Sequence, residues 1–188
     1  PFPAPMFPTT AALDRVTQGA WVGKYGSEAY VLFGYDKGRG SNGTDRVHIP
    51  RGSFVKGFSP KCCNIKACTA PVSTWNADAA GLPAGTLLAD PAGASKPPSL
   101  GFASCRSPLS GSPGTTALDV NTTAGQRYQL ALYMVGSAGD LSSQTTRILD
   151  LQTLNPVAKA VLIERFGAGA WLVLEHDRPI RVNLSPTN

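Results

Sequence analysis

Trp21, Tyr25 and Tyr30 stand four and five residues apart, with Glu28 among them and glycines at positions 19, 23 and 26. A site that reads sugar rings needs such residues: the apolar C–H face of the sugar stacks on the aromatic ring, and a carboxylate or amide takes the hydroxyls. The stretch TQGAWVGKYGSEAY, Thr17 to Tyr30, has neither a helical period nor clean strand alternation, so these rings are expected on a loop. The same composition would also serve a loop that plugs one end of a β-sandwich. On that reading Trp21 fills the gap its glycines leave, and Tyr25 is the ring expected to stay outside.

Other chemistry is hard to build from this chain. Hydrolysis requires two converging carboxylates, or a nucleophile with its base. Glu28, Glu164 and Glu175 are the only glutamates and none stands in a recognisable catalytic phrase. Glu28 is the best placed of them; its plain alternative is an exposed loop carboxylate paired with a neighbouring Lys or Arg. His176 and Asp177 lack any GxSxG elbow to supply a nucleophile, and EHDRP reads as a turn between two strands. His48 reads as a strand residue. With no phosphate loop or metal loop either, no catalytic residue, cofactor or metal is expected.

The four cysteines, Cys62, Cys63, Cys68 and Cys105, form an even set in one region. Zinc competes as an explanation, but CCNIKAC lacks a CxxC pair and the histidines sit at no ligand spacing. Two disulfides are expected instead. A bond between adjacent Cys62 and Cys63 would be strained, so one should reach Cys105 and the other close the loop to Cys68. That implies an oxidising, extracellular location. Glycosylation sequons at Asn42 (NGT) and Asn121 (NTT) agree with it, whereas NLS at Asn183, followed by Pro186, is discounted.

Composition bounds the rest. The chain has 188 residues, 42% apolar and only 15% charged, with 20 Gly and 16 Pro, which suits a loop-rich all-β protein. Its net charge of +5 is scattered, so nucleic acid is not an expected partner. No run approaches the roughly 20 apolar residues of a membrane-spanning helix. PFPAPMFPTT has neither the charged start nor the apolar core of a signal peptide, so the chain is expected to be a mature form or a piece of something longer.

Along the chain, residues 1–12 read as a Pro-rich extended arm or linker and 13–188 as one domain. Strands are expected at AYVLFGY, at 46–49 and 53–57, then in RYQLALYMVG, TTRILDLQ, AKAVLIERF, AWLVLEHD and IRVNLS, at the spacing of sandwich strands. Between them, about 59–113 reads as an irregular insertion in which only GTLLAD and LGFASC look like strands. The fold expected is all-β: an antiparallel two-sheet β-sandwich, jelly-roll-like, with a long insertion fastened by disulfides.

The opening motif, with GQRYQLALYMVG and the segment from TTRILDLQ to IRVNL, resembles a β-sandwich accessory domain appended to secreted glycoside hydrolases and other microbial surface proteins. That family's early motif reads approximately TQGxWxGxYGxxGY. Thr17, Gln18, Gly19, Trp21, Gly23, Tyr25, Gly26 and Tyr30 fit it, and Ala29 replaces a glycine. The family also tends to carry an acidic, Trp-containing turn after the ALY strand; VGSAGDLSS keeps Asp140 and has no Trp. The cysteine-bearing middle has no counterpart in it. The resemblance implies a non-catalytic module for which sugar binding is presumed, with a glycan and a parent catalytic domain as partners. The alternative is a structural, self-assembling extracellular glycoprotein, a homo-oligomer or filament formed through residues 1–10, where Phe2, Met6 and Phe7 would dock.

Overall fold

The computed structural model describes residues 11–36, 44–62, 72–76, 88, 91, 99–103, 116–135 and 143–187. Among them there is no helix, and every pairing between strands is antiparallel. A three-stranded sheet has the order β1 (Ala11–Asp14), β11 (Ala170–His176), β8 (Tyr128–Met134). A five-stranded sheet has the order β10 (Val161–Glu164), β9 (Ser143–Asp150), β12 (Ile180–Pro186), β7 (Thr116–Thr122), β4 (Val55–Cys62). Two two-stranded sheets are also present among the described residues: β2 (Tyr30–Asp36) with β3 (Thr44–His48), and β5 (Val72–Asn76) with β6 (Ser99–Ala103).

Alternation within the strands decides where the core lies. Leu130, Met134, Ala170, Leu172 and Leu174 of the three-stranded sheet share one buried cluster with Leu118, Val120, Ile148, Ile180 and Val182 of the five-stranded sheet. A single apolar layer filled from two sheets is consistent with a β-sandwich. The intervening residues differ between the sheets. On β7 and β12 they are the buried Ala117 and then Asp119, Asn121, Arg181 and Asn183, a mostly polar outer face; on β11 and β8 they are Trp171, Val173, Ala131 and Tyr133, which join a second cluster with Trp21 and Leu32. The three-stranded sheet is thus apolar on both faces, and β11 reads as a continuous apolar run for that reason.

Several strands extend beyond the sequence reading. β1 begins at Ala11, so the last two residues of the expected arm belong to a sheet. β4 continues past Ser59 to Cys62, opposite Ala117 and Thr116 of β7. Pro60 is tolerated there because β4 is the sheet's edge, where a missing N–H need not break a ladder. Val72–Asn76, unread within the stretch expected to be irregular, pairs with Ser99–Ala103, which overlaps the expected strand LGFASC. Asn42, Cys63, Cys68, Cys105 and Asp140 lie outside the described residues.

An aromatic cap as the candidate functional site

Asp14 ends β1 and sits opposite Trp171 in the register, so its side chain projects on the outer face of the three-stranded sheet. Its Oδ1 accepts the amides of Val16 (2.8 Å) and Thr17 (3.0 Å), which turns the chain off the sheet. Its Oδ2 accepts from Thr17 Oγ1 (2.5 Å), Lys24 Nζ (2.8 Å) and Tyr25 OH (2.7 Å). Lys24 Nζ also donates to Thr17 Oγ1 at 2.6 Å. One carboxylate therefore ties both ends of the loop 17–25 to the end of β1. Burial by itself would raise the Asp14 pKa, but the hydrogen bonds from Lys24, Thr17 and Tyr25 outweigh it and hold the carboxyl well below the usual range. Burial, and then the bond to that carboxylate, push the Tyr25 phenol up to about 12, so it stays a donor at neutral pH.

The loop is closed from the other side by aromatic packing. Trp171 Nε1 donates to the Gln18 carbonyl at 2.7 Å, and Gln18 holds a left-handed φ of 44°. Tyr25 packs on the Trp171 ring with centroids 4.9 Å apart, and Tyr133 packs on it at 4.8 Å. The amides of Lys24 and Tyr25 both donate to the Trp21 carbonyl at 3.0 Å, forming the tight turn that drops Trp21 inward. Trp21 is 3% exposed and meets Tyr30 edge-on at 5.2 Å. Gly26 is required: its φ is +72°, and a Cβ there would lie 2.6 Å from Trp21 Cζ3.

Of the residues expected to read a sugar, the cap brings together Trp21, Tyr25 and Tyr30. Trp21 is buried, and Tyr25 is half-buried, its ring against Trp171 and its hydroxyl on Asp14. Glu28 is exposed, and Tyr30 is half-buried at the rim. The ring that continues the surface is His48. It lies opposite Tyr30 in the β2–β3 register and stacks on it, with centroids 5.1 Å apart and planes 21° apart, and it is exposed. Sequence reasoning missed His48 and Asp14. Asp14 had a local signal, an Asp three residues before a Thr at a strand end; His48 had none, because its position beside Tyr30 comes from strand pairing.

The histidine weighed for catalysis is elsewhere. The His176 side chain is fully buried, its Nδ1 3.9 Å from Asp177 Oδ1, which also accepts from Arg178 Nε at 3.3 Å. A side chain with no exposed surface cannot reach a substrate. Among the described residues, no three of His, Cys, Asp and Glu converge in a way that could hold a metal ion. No helix among them is long and apolar enough to cross a membrane. No protein-family model matches this chain, and comparison with the curated proteins and with the solved structures likewise finds no match.

Proposed function

We propose that this chain is a non-catalytic extracellular module that binds carbohydrate, or serves as an accessory to a secreted glycoside hydrolase, through the rim of the aromatic cap. The observation that carries the reading is the exposed His48 ring, stacked face to face on the half-buried Tyr30, which stands two residues on from the exposed carboxylate of Glu28. A sugar's C–H face can lie on an exposed ring held in this way while a carboxylate accepts its hydroxyls. Trp21 and Tyr25 support the surface from below. The test is His48→Ala, an exposed position, on an array of plant, fungal and bacterial polysaccharides. Retention by the parent and its loss in the variant at unchanged Tm is expected; a parent retained by no polysaccharide overturns the reading.

The finer architecture belongs to the same proposal: a jelly-roll-like sandwich whose insertion is fastened by two disulfides among Cys62, Cys63, Cys68 and Cys105. Cys62 lies on the edge strand β4 opposite Thr116, so a bond from that region would tie the insertion to the five-stranded sheet. Intact mass after alkylation without reductant should show no added label; four labelled thiols would remove the disulfides and, with them, the main support for an extracellular location. The self-assembling alternative is favoured by one observation: the Pro-rich segment leads directly into β1, which lies at the edge of its sheet. Deleting Pro1–Thr10 should then abolish any oligomer seen by light scattering, and a strictly monomeric parent would end that alternative.

A further inference from the structure

Neither the cap nor the buried layer uses the sequon NTT, and the fold sets it at the surface. Asn121 is the last residue but one of β7 and is exposed on the outer face, while Val120 and Thr122 on either side of it are buried. Thr123 opens the turn to β8, and residues 123–127 are all exposed. The Thr123 amide donates to the Phe54 carbonyl at 2.9 Å, a main-chain bond in which its hydroxyl has no part. Attachment of a glycan needs an asparagine amide at the surface with a hydroxyl residue two positions on, and here both are exposed.

The space beside Asn121 is open. A groove of about 490 Å³ runs over β4, β7 and β12, and Asn121 lines it together with Ser59, Asp119, Leu151 and Arg181. The residue opposite Asn121 on β4 is Gly57, at the bulge, where even a Cβ would meet nothing within 4 Å. On the other side the ladder to β12 ends one residue earlier, with Val120 opposite Ile180, so β7 is flanked on one side only at this point. Asn183 is the contrast. It is half-buried in the middle of the central strand β12, with Ala117 opposite on β7 and Arg147 opposite on β9. A sugar attached there would stand between two paired strands.

We propose that Asn121 carries an N-linked glycan whose first sugars cover the outer face of the five-stranded sheet beside the edge strand β4. The proposal rests on the extracellular reading, because the sugar is transferred in a secretory compartment. In the transfer, Asn121 Nδ2 forms a bond to the anomeric carbon of an oligosaccharide carried on a lipid diphosphate. The bond from that carbon to the phosphate oxygen breaks, the lipid diphosphate leaves with the electron pair, and one amide proton passes to a base of the transferring enzyme. The cover has a use. An uncovered edge strand invites pairing with another chain, and β4 is such an edge. The bulge at Lys56 and the missing N–H of Pro60 blunt it, and a bulky, hydrophilic group on the neighbouring strand closes the approach from the outer face.

The experiment is secretion of the full chain from yeast, followed by enzymatic release of N-glycans in heavy-oxygen water, which leaves a labelled aspartate at each occupied site. The Asn121 peptide should carry the label in most molecules and the Asn183 peptide in almost none. Thr123→Ala should abolish the label and Thr123→Ser restore it, a response that a merely structural threonine would not give. Label that persists in Thr123→Ala comes from spontaneous deamidation and overturns the site. An unlabelled Asn121 peptide in a chain whose cysteines resist alkylation also overturns the site while leaving the extracellular reading in place; with alkylated cysteines, both fall. The cover is read by NMR, comparing the secreted parent with Thr123→Ala, whose Asn121 is bare. The amides of Lys56, Gly57, Ser59 and Leu151 should shift between the two, and those of Trp21, Tyr30 and His48 should not. Shifts confined to the residues next to Asn121 in sequence overturn the cover.

Discussion

The two main sheets are made of similar alternating strands, yet they finish their outer faces in opposite ways. The three-stranded sheet covers its outer face with a loop: Trp171 is buried, and Tyr133 and Val173 partly so, in one cluster with Trp21, Tyr25 and Tyr30. The five-stranded sheet carries an ion pair on its outer face, with the buried Asp119 bonded to Arg181 across neighbouring strands. An apolar face covered by aromatic rings contributes stability through burial, whereas a face built on an ion pair contributes less of it. The aromatic motif is therefore first a structural device, and what it can offer a partner lies at its rim.

That difference is most easily broken at Trp171. Its ring is 5% exposed, stacks against Tyr25 and Tyr133, and holds the Gln18 carbonyl. Trp171→Ala removes the surface on which the loop rests and should cost about 3–5 kcal/mol. Arg147, exposed on β9 of the five-stranded sheet, is the matched control, and Arg147→Ala should change stability by less than about 0.5 kcal/mol. Urea unfolding followed by tryptophan fluorescence measures both. Equal losses would mean that the two faces are not different in kind.

A smaller effect tests how the cap is fastened. Asp14→Ala leaves Tyr25 OH, Thr17 and Lys24 without their common acceptor and should cost about 1–3 kcal/mol, the range for charge-assisted bonds at a partly exposed site. The same bonds make stability depend on acid. Because the folded Asp14 carboxyl titrates below its ordinary value of 3.8, its contribution is complete above about pH 4 and is lost as pH falls below that. In Asp14→Asn the acid-induced loss between pH 4 and pH 2 should shrink relative to the parent, measured by Tm. An unchanged acid slope would show that the fastening is not carried by this charge.

How much of this was legible in the sequence follows from which contacts are local. TTRILDLQ and AWLVLEHD announce strands because their alternation or apolar run is contained in the segment itself, and β9 and β11 are there. TALDVNT does not announce itself. Its Asp119 and Asn121 look like loop residues until Arg181, sixty-two positions away, arrives on β12. AALD is too short to carry a period, and only pairing with β11 makes it a strand. The candidate site divides in the same way. Trp21 among its glycines could be read as a buried ring, whereas the surface partner of Tyr30 depends on a register that places His48 beside it. Gly57 shows the reverse case, a local feature whose meaning appears only with the register, which places it at the bulge of β4.

The finest test of the comparison lies at one of the joins between the two sheets, in the turn from β11 to β12. His176 ends the capped sheet with its side chain fully buried, and Asp177 and Arg178 lead into the five-stranded one. Asp177 Oδ1 lies 3.9 Å from His176 Nδ1, Arg178 Nη1 lies 3.9 Å from Asp150 Oδ2, and the Arg178 carbonyl accepts Tyr128 OH at 2.7 Å. Burial disfavours the imidazolium, Asp177 and Asp150 favour it, and Arg178 opposes it; burial dominates, so the His176 pKa lies below the ordinary 6.5. The sign follows directly. Above about pH 7 the group is neutral in both folded and unfolded chains and has no effect on their balance. As pH drops through 6.5 the unfolded chain takes up a proton that the folded chain refuses, so stability declines until the lower, folded pKa is reached. The slope from this one group cannot exceed about 1.4 kcal/mol per pH unit. His176→Gln, measured by urea unfolding between pH 8 and pH 5, should flatten the curve in that window while leaving the Asp14 loss below pH 4 in place. If parent and variant decline in parallel from pH 7, the histidine is not the source, and the join between the sheets is indifferent to pH.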